Sequence, residues 1–225
     1  MSEALKTGRA RPRRRDFLAG AAGLLLTASA PVHAQARPPR LAVFDVMMAD
    51  FLREHRVADA ALAVTRKGRL AYARGFGAAQ AASPFRVGSV SKPLTAAAVL
   101  HLAERGALSL EARAWELLGL DEPSDTRWKR ITVLNLLQHT AGWDRERSFD
   151  PMFGPRSLPG TRELLREMLR RPLDFDPGAR HAYSNFGYFL LGRIIERASG
   201  TAYEEHLRRE VLAPLGISGM RVDTI

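Results

Sequence analysis

The sequence predicts an α/β chain of the α+β kind: mostly helices, with one helix and one β-hairpin at the front and no late sheet strands. Three observations predict this. Residues 41–55 place Leu41, Val43, Phe44, Met47, Met48, Phe51 and Leu52 at helical spacing. Two short runs, Ala60–Arg66 and Arg69–Gly75, are joined by Lys67-Gly68. They read as a hairpin whose glycine supplies the turn. Everything readable beyond residue 88 has helical rather than alternating periodicity.

The later elements follow in order. A helix is expected from about Ser89, with Pro93 in its first turn, where a missing N–H costs little. Its stretch Leu94–Leu100 is apolar on all sides, which predicts burial. Val133–Gln138 is a short helix, and Arg162–Arg170 carries Leu164, Leu165, Met168 and Leu169 on one face. Asn185–Ala198 presents Phe186, Phe189, Leu190, Ile194 and Ile195, and Gly200 stands where a C-terminal stop belongs. Tyr203–Leu212 is amphipathic and ends before Pro214. Two strands alone are marginal in water, so the hairpin needs a helix to lie on or strands from elsewhere.

Composition narrows the function. The 225 residues are 46% hydrophobic and 26% charged, as in folded globular chains. With no cysteine there is no disulfide framework, zinc–thiolate site or cysteine nucleophile. The net charge of +10 invites a nucleic-acid reading, but residues 1–36 hold six Lys/Arg against two Asp/Glu. The rest is interspersed, with no aromatic-laced basic stripe, so no nucleic-acid partner is expected. His33, His55, His101, His139, His181 and His206 show no ligand spacing, and no metal or cofactor is expected.

Residues 1–36 read as an address, and residues 37–225 as a separate domain. Arg13-Arg14-Arg15-Asp16-Phe17-Leu18 precedes twelve uncharged, mostly apolar residues, Ala19–Ala30. Small-residue sites for cleavage follow at Ala34 or Ala36. The apolar run is shorter than the ~20 residues of a membrane span, so no stable span is expected after cleavage. Arg14-Arg15-x-Phe17-Leu18 resembles a twin-arginine export signal. The resemblance implies the twin-arginine machinery as a partner and a periplasmic or secreted destination; an ordinary secretory signal or a retained anchor are the alternatives.

The chemistry centres on Ser89-x-x-Lys92. A serine hydroxyl becomes nucleophilic when a nearby base takes its proton. Lysine three residues on lies one helical turn away on the same face. Of the twelve serines only Ser89 has lysine at that position, in a chain that uses arginine at 30 of its 34 basic sites. Arginine cannot release a proton and lysine can. A second signal is Tyr183-Ser184-Asn185 at a helix start. Beside an ammonium a phenolate becomes accessible and can shuttle the Ser89 proton. The Asn185 amide can orient a substrate carbonyl or Lys92. The plainer alternatives are a capping Ser89 with a solvated Lys92, and a core Tyr183 with a capping Asn185.

Phe85–Thr95, Leu136-Leu137-Gln138-His139-Thr140-Ala141-Gly142 and Pro177–Tyr188 together resemble the serine β-lactamase-related hydrolases. This is the family of class C β-lactamases, D-alanyl-D-alanine carboxypeptidases and related esterases. The resemblance implies a β-lactamase/transpeptidase-like fold and a small-molecule or peptide substrate. It makes Ser89 the acylated nucleophile, Lys92 its general-base partner, Tyr183 the second base or acid, and Asn185 a substrate contact. The Ser89 backbone N–H becomes one oxyanion donor. His139-Thr140 reads as structural.

The likeness has a gap. The family's third motif, Lys or His, then Thr or Ser, then Gly, has no match after Tyr183: Ala198-Ser199-Gly200 and Ile217-Ser218-Gly219 lack the basic residue. Relatives continue well past the position of Ile225. The chain is therefore expected to be a C-terminally truncated serine hydrolase, cleaving an amide, β-lactam or ester bond through an acyl-enzyme with impaired rate. The alternative is a non-catalytic exported binding or scaffold protein, or a gene fragment, that keeps the front of the fold.

Overall fold

The computed structural model describes residues 41–148, 150–153 and 160–222. The proposed address, residues 1–36, lies outside the described residues. The chain divides into two compact units at Ser83/Pro84.

The first unit is a helix, α1 (Ala42–His55), followed by β1 (Ala60–Arg66) and β2 (Arg69–Phe76). The strands pair antiparallel, Ala60 opposite Phe76, with an irregularity between Val64 and Thr65. Lys67 and Gly68 both have positive φ, 50° and 71°. That is the two-residue turn whose twist matches the strands, and glycine adopts the second position without a Cβ penalty. The hairpin does lie on a helix. Asp45 of α1 accepts the Tyr72 hydroxyl and pairs with Arg74, and Phe44 packs on the Tyr72 ring at 5.4 Å. Tyr72 and Phe76 are buried.

The second unit is helical. A 3-10 turn (Gly88–Ser91) leads into α2 (Lys92–Glu104). Then come α3 (Ala114–Leu118), a 3-10 turn (Thr126–Arg130), α4 (Val133–Leu137) and a 3-10 turn (Pro151–Phe153). Next are α5 (Thr161–Leu169), α6 (Asn185–Ser199) and α7 (Tyr203–Leu207). The helix α6 is the axis of the core. Phe186, Leu190, Leu191, Ile194 and Ile195 on it are almost fully buried. They belong to one cluster with Ala98, Val99 and Leu102 of α2, Val133 and Leu136 of α4, and Leu164 and Met168 of α5. Gly200, at φ 69°, ends α6 as expected.

Two expectations are corrected. The helix after Ser89 is not buried on all sides. Thr95, Ala98, Val99 and Leu102 face the core, whereas Leu100 is 46% exposed and Val90 70%. Alanine makes up much of this stretch, so apolar composition alone did not reveal which face packs. Residues 203–212 are not one α-helix. α7 stops at Leu207 and passes into a π turn, Arg208–Leu212, which brings Val211 and Leu212 into the core.

Candidate active site

The site lies where the starts of α2 and α6 meet. Gly88, at φ 51°, swings the chain into the 3-10 turn, a conformation that disfavours any residue with a Cβ. The Ser91 hydroxyl closes the turn by donating to the Gly88 carbonyl at 2.7 Å, and the Lys92 N–H donates to the Ser89 carbonyl. Ser89 therefore stands one turn ahead of Lys92, with its side chain exposed among the described residues. The turn is 3-10, which the sequence reading placed inside the α-helix.

The start of α6 is fixed independently. The Ser184 hydroxyl accepts the Gly187 N–H at 3.1 Å and is the N-cap. Phe186 meets Trp143 edge-on at 5.0 Å and Trp128 at 6.0 Å. Because Ser184 caps the helix, the Asn185 side chain is left for other work.

Four predicted residues come together here. Ser89 Oγ and Tyr183 Oη share a hydrogen bond of 2.6 Å. Lys92 Nζ donates to Ser89 Oγ at 3.2 Å and to Asn185 Oδ1 at 2.7 Å. The same ammonium nitrogen lies 4.8 Å from the Tyr183 ring centre and 5.5 Å from that of Tyr188. Burial pushes the Tyr183 phenol up. Hydrogen bonds from Lys92 and Ser89, with the charges of Lys92 and Arg145, outweigh it and hold the phenol below its ordinary value. The Arg145 guanidinium stands 5.2 Å from the Tyr183 ring centre.

Sequence reasoning missed one neighbour of these groups, Asp150, and read another, His139, as structural. Asp150 Oδ2 accepts the Asn185 Nδ2–H at 2.7 Å, which turns the amide so that its oxygen faces Lys92. A lone aspartate in a loop gives no periodic signal. The ring of His139 stacks on Tyr183 at 4.6 Å, and its Nδ1 accepts the Ser184 N–H at 3.1 Å. Burial, followed by the neighbouring His181 and Lys92, lowers its pKa to about 4. His139 was legible only as part of a recognisable segment.

The Tyr183 loop is held from below. Asp125 accepts the backbone N–H and two guanidinium donors of Arg127 and the Leu173 N–H. Asp174 donates its N–H to the Gly142 carbonyl and accepts the Asp144 N–H. The Gly178 N–H then donates to the Thr140 carbonyl, and the Ala182 N–H to the His139 carbonyl. These bonds lace residues 139–144 to residues 173–184. Among the described residues no cluster of three or more His, Asp or Glu is placed to hold a metal ion.

A hydroxyl bonded at once to a phenol and an amine is, by its chemistry, a candidate nucleophilic centre. The Beta-lactamase family model matches residues 44–224. The chain belongs to the Beta-lactamase family, a family of serine hydrolases. It is 34% identical to "Esterase EstB" of Burkholderia gladioli over 196 residues, covering 78% of this chain and 49% of that protein. It is 43% identical over 122 residues to "Probable fimbrial assembly protein FimD, serogroup H1" of Dichelobacter nodosus, covering 54% of this chain and 31% of that protein. A solved class C β-lactamase superposes with a TM-score of 0.69 at 23% identity, covering 83% of this chain and 52% of the other. The fold is thus β-lactamase/transpeptidase-like. The chain spans about a third to a half of the length of these relatives.

Proposed function

We propose that this chain is an exported serine hydrolase that works through an acyl-enzyme on an amide, β-lactam or ester bond. One observation carries the reading: Ser89 Oγ sits 2.6 Å from Tyr183 Oη and 3.2 Å from Lys92 Nζ. Ser89 Oγ attacks the substrate carbonyl carbon while its proton passes to Tyr183, the nearer partner, whose phenolate Lys92 favours. Tyr183 then returns that proton to the leaving nitrogen or oxygen. Water reverses the sequence and frees the acid. Asn185, aligned by Asp150, holds Lys92 in place and is the candidate contact to a substrate carbonyl. The printed name of the esterase relative favours the ester arm.

Residues 184–225 contain no Lys/His-Thr/Ser-Gly segment. Export would proceed through residues 1–36: replacing Arg14-Arg15 by two lysines is expected to stop delivery of a folded reporter to the periplasm. The acylation reading is tested by intact mass spectrometry after a fluorophosphonate or penicillin. A single adduct on Ser89, lost in S89A and slowed in Y183F, is the expected result. An unlabelled Ser89 would refute it.

A second reading, a non-catalytic exported binding or scaffold protein, is favoured by the assembly name of the fimbrial relative. It predicts penicillin binding without a covalent adduct, so the same spectrum separates the two.

A further inference from the structure

His139 is the residue of the site's surroundings with the most demanding geometry. Among the described residues it is one of three non-glycine residues with positive φ, at 57°, in a region where an ordinary side chain is strained. That strain turns the backbone so that both of its polar ends meet the Tyr183 loop. Its carbonyl accepts the Ala182 N–H at 2.8 Å, and its Nδ1 accepts the Ser184 N–H at 3.1 Å. Between those two residues stands Tyr183, and the imidazole lies against its ring at 4.6 Å and 30°. The Tyr188 ring, at 4.9 Å, and the His181 ring, edge-on at 5.7 Å, are further neighbours.

An Nδ1 that accepts a hydrogen bond carries no proton, so the remaining proton of a neutral ring is on Nε2. A second proton would turn the acceptor into a donor aimed at the Ser184 N–H. Among the described residues the ionisable groups that act on the ring or pack against it are Lys92, His181, Tyr183 and Tyr188. None is a carboxylate, and the first two disfavour a further positive charge.

We infer that His139 is a positioning residue for acyl transfer: its neutral imidazole fixes the angle at which Tyr183 presents its phenol to Ser89. This rests on the acyl-enzyme reading above, in which Tyr183 moves the Ser89 proton. His139 acts on the reaction through Tyr183 alone and touches no substrate.

Two substitutions separate its two contacts. H139F keeps a ring against Tyr183 and removes the acceptor. H139N keeps an acceptor near the Nδ1 position, tolerates the left-handed backbone and removes the ring. Each is expected to slow fluorophosphonate labelling of Ser89 by roughly 10–100-fold, the cost of a misplaced reacting group. In a Y183F background the same substitutions are expected to add less than about 2-fold, because the residue they act through is gone. Equal losses in both backgrounds, or none in either, would overturn the proposal. Two measurements need no activity. Long-range 15N spectra at neutral pH are expected to show His139 as the Nε2–H tautomer. The Ser184 amide is expected to be protected from exchange in the wild type and H139N and open in H139F. An imidazolium or an Nδ1–H tautomer overturns the part given to His139 whether or not Ser89 reacts. A wild-type chain with that tautomer and no label on Ser89 overturns the acyl-enzyme reading, and the positioning role with it.

Discussion

Replacing Asp125 by asparagine is a sharp test of how the Tyr183 loop is supported. The carboxylate accepts the Leu173 N–H at 2.9 Å, the Arg127 N–H at 2.9 Å, and Arg127 Nη2 at 2.7 Å. The Arg127 hydrogen bond is the main reason its pKa falls from 3.8 to about 2; burial opposes the shift, and the Leu173 N–H adds to it. The amide keeps the shape of the carboxylate and loses its charge. The side chain is only 13% exposed, so little solvent screening intervenes. At 1.36 kcal/mol per pH unit, the difference between the folded and unfolded values amounts to about 2 kcal/mol at neutral pH.

The folded value lies below the unfolded one. The unfolded chain therefore binds more protons between the two, and the contribution is full above about pH 5 and drains away as pH falls through 3.8 toward 2. D125N is expected to lower the Tm by about 4–8 °C at pH 7. At pH 2 the gap should shrink below about 0.5 kcal/mol. Asp144 and Asp176 also titrate low, held by Arg180 and Arg127, so both proteins lose stability in acid. Only the difference between them isolates Asp125. The measurement is urea unfolding of both proteins from pH 7 to pH 2. A gap that stays constant over that range would refute the reasoning, since a lost shape contact has no reason to titrate.

Three further outcomes follow from the same geometry. K92M should move Tyr183 titration upward, because burial would then act against fewer opposing groups, and should slow Ser89 labelling by ~10²-fold or more; ultraviolet titration against Y183F reads the first effect and intact mass the second. T95V should cost about 1–3 kcal/mol by stranding the half-buried Tyr203 hydroxyl that Thr95 meets at 2.7 Å, and T95V/Y203F should cost less than the two single changes together in urea unfolding. His139 titrates near 4 when folded and near 6.5 when unfolded, so its contribution is complete above about 6.5 and lost as pH falls toward 4. Partial exposure reduces that contribution to about 1–2 kcal/mol, and H139N should flatten this limb of the stability profile.

What could be read in the sequence followed periodicity and rare residue types. The α6 span was legible because Phe186, Leu190, Ile194 and Ile195 repeat at helical spacing, and the structure buries that stripe. The hairpin was legible in Lys67-Gly68, where chemistry and turn geometry agree. Lys92 stood out against a background of arginine. The illegible parts depend on backbone angles and long-range partners. Nothing local in Gly88-Ser89-Val90-Ser91 separates a 3-10 turn from the first turn of an α-helix. Nothing in Asp150 announces that it will face Asn185 across 35 residues. The π turn at Arg208–Leu212 keeps an amphipathic pattern, so its extra residue leaves no trace in composition.

The electrostatics of the site carry one more consequence. Lys92 and Asn185 are the first residues of α2 and α6, so the lysine sits at the positive ends of two helix dipoles at once. Each end disfavours a cation by about 0.3–1 kcal/mol. Its partners among the described residues include the Ser89 hydroxyl, the Tyr183 phenol, the Asn185 amide oxygen and two aromatic faces, and Asp150 holds the far side of the Asn185 amide. Arg145 adds a second positive charge over the Tyr183 ring. A site assembled this way has a deficit of negative charge at its centre. On the acyl-enzyme reading proposed above, ionisation of Tyr183 or an oxyanion on an acylating substrate would supply that charge. On that reading, the arrangement that lowers the phenol pKa would also favour the transition state, because both answer the imbalance that the two helix starts create.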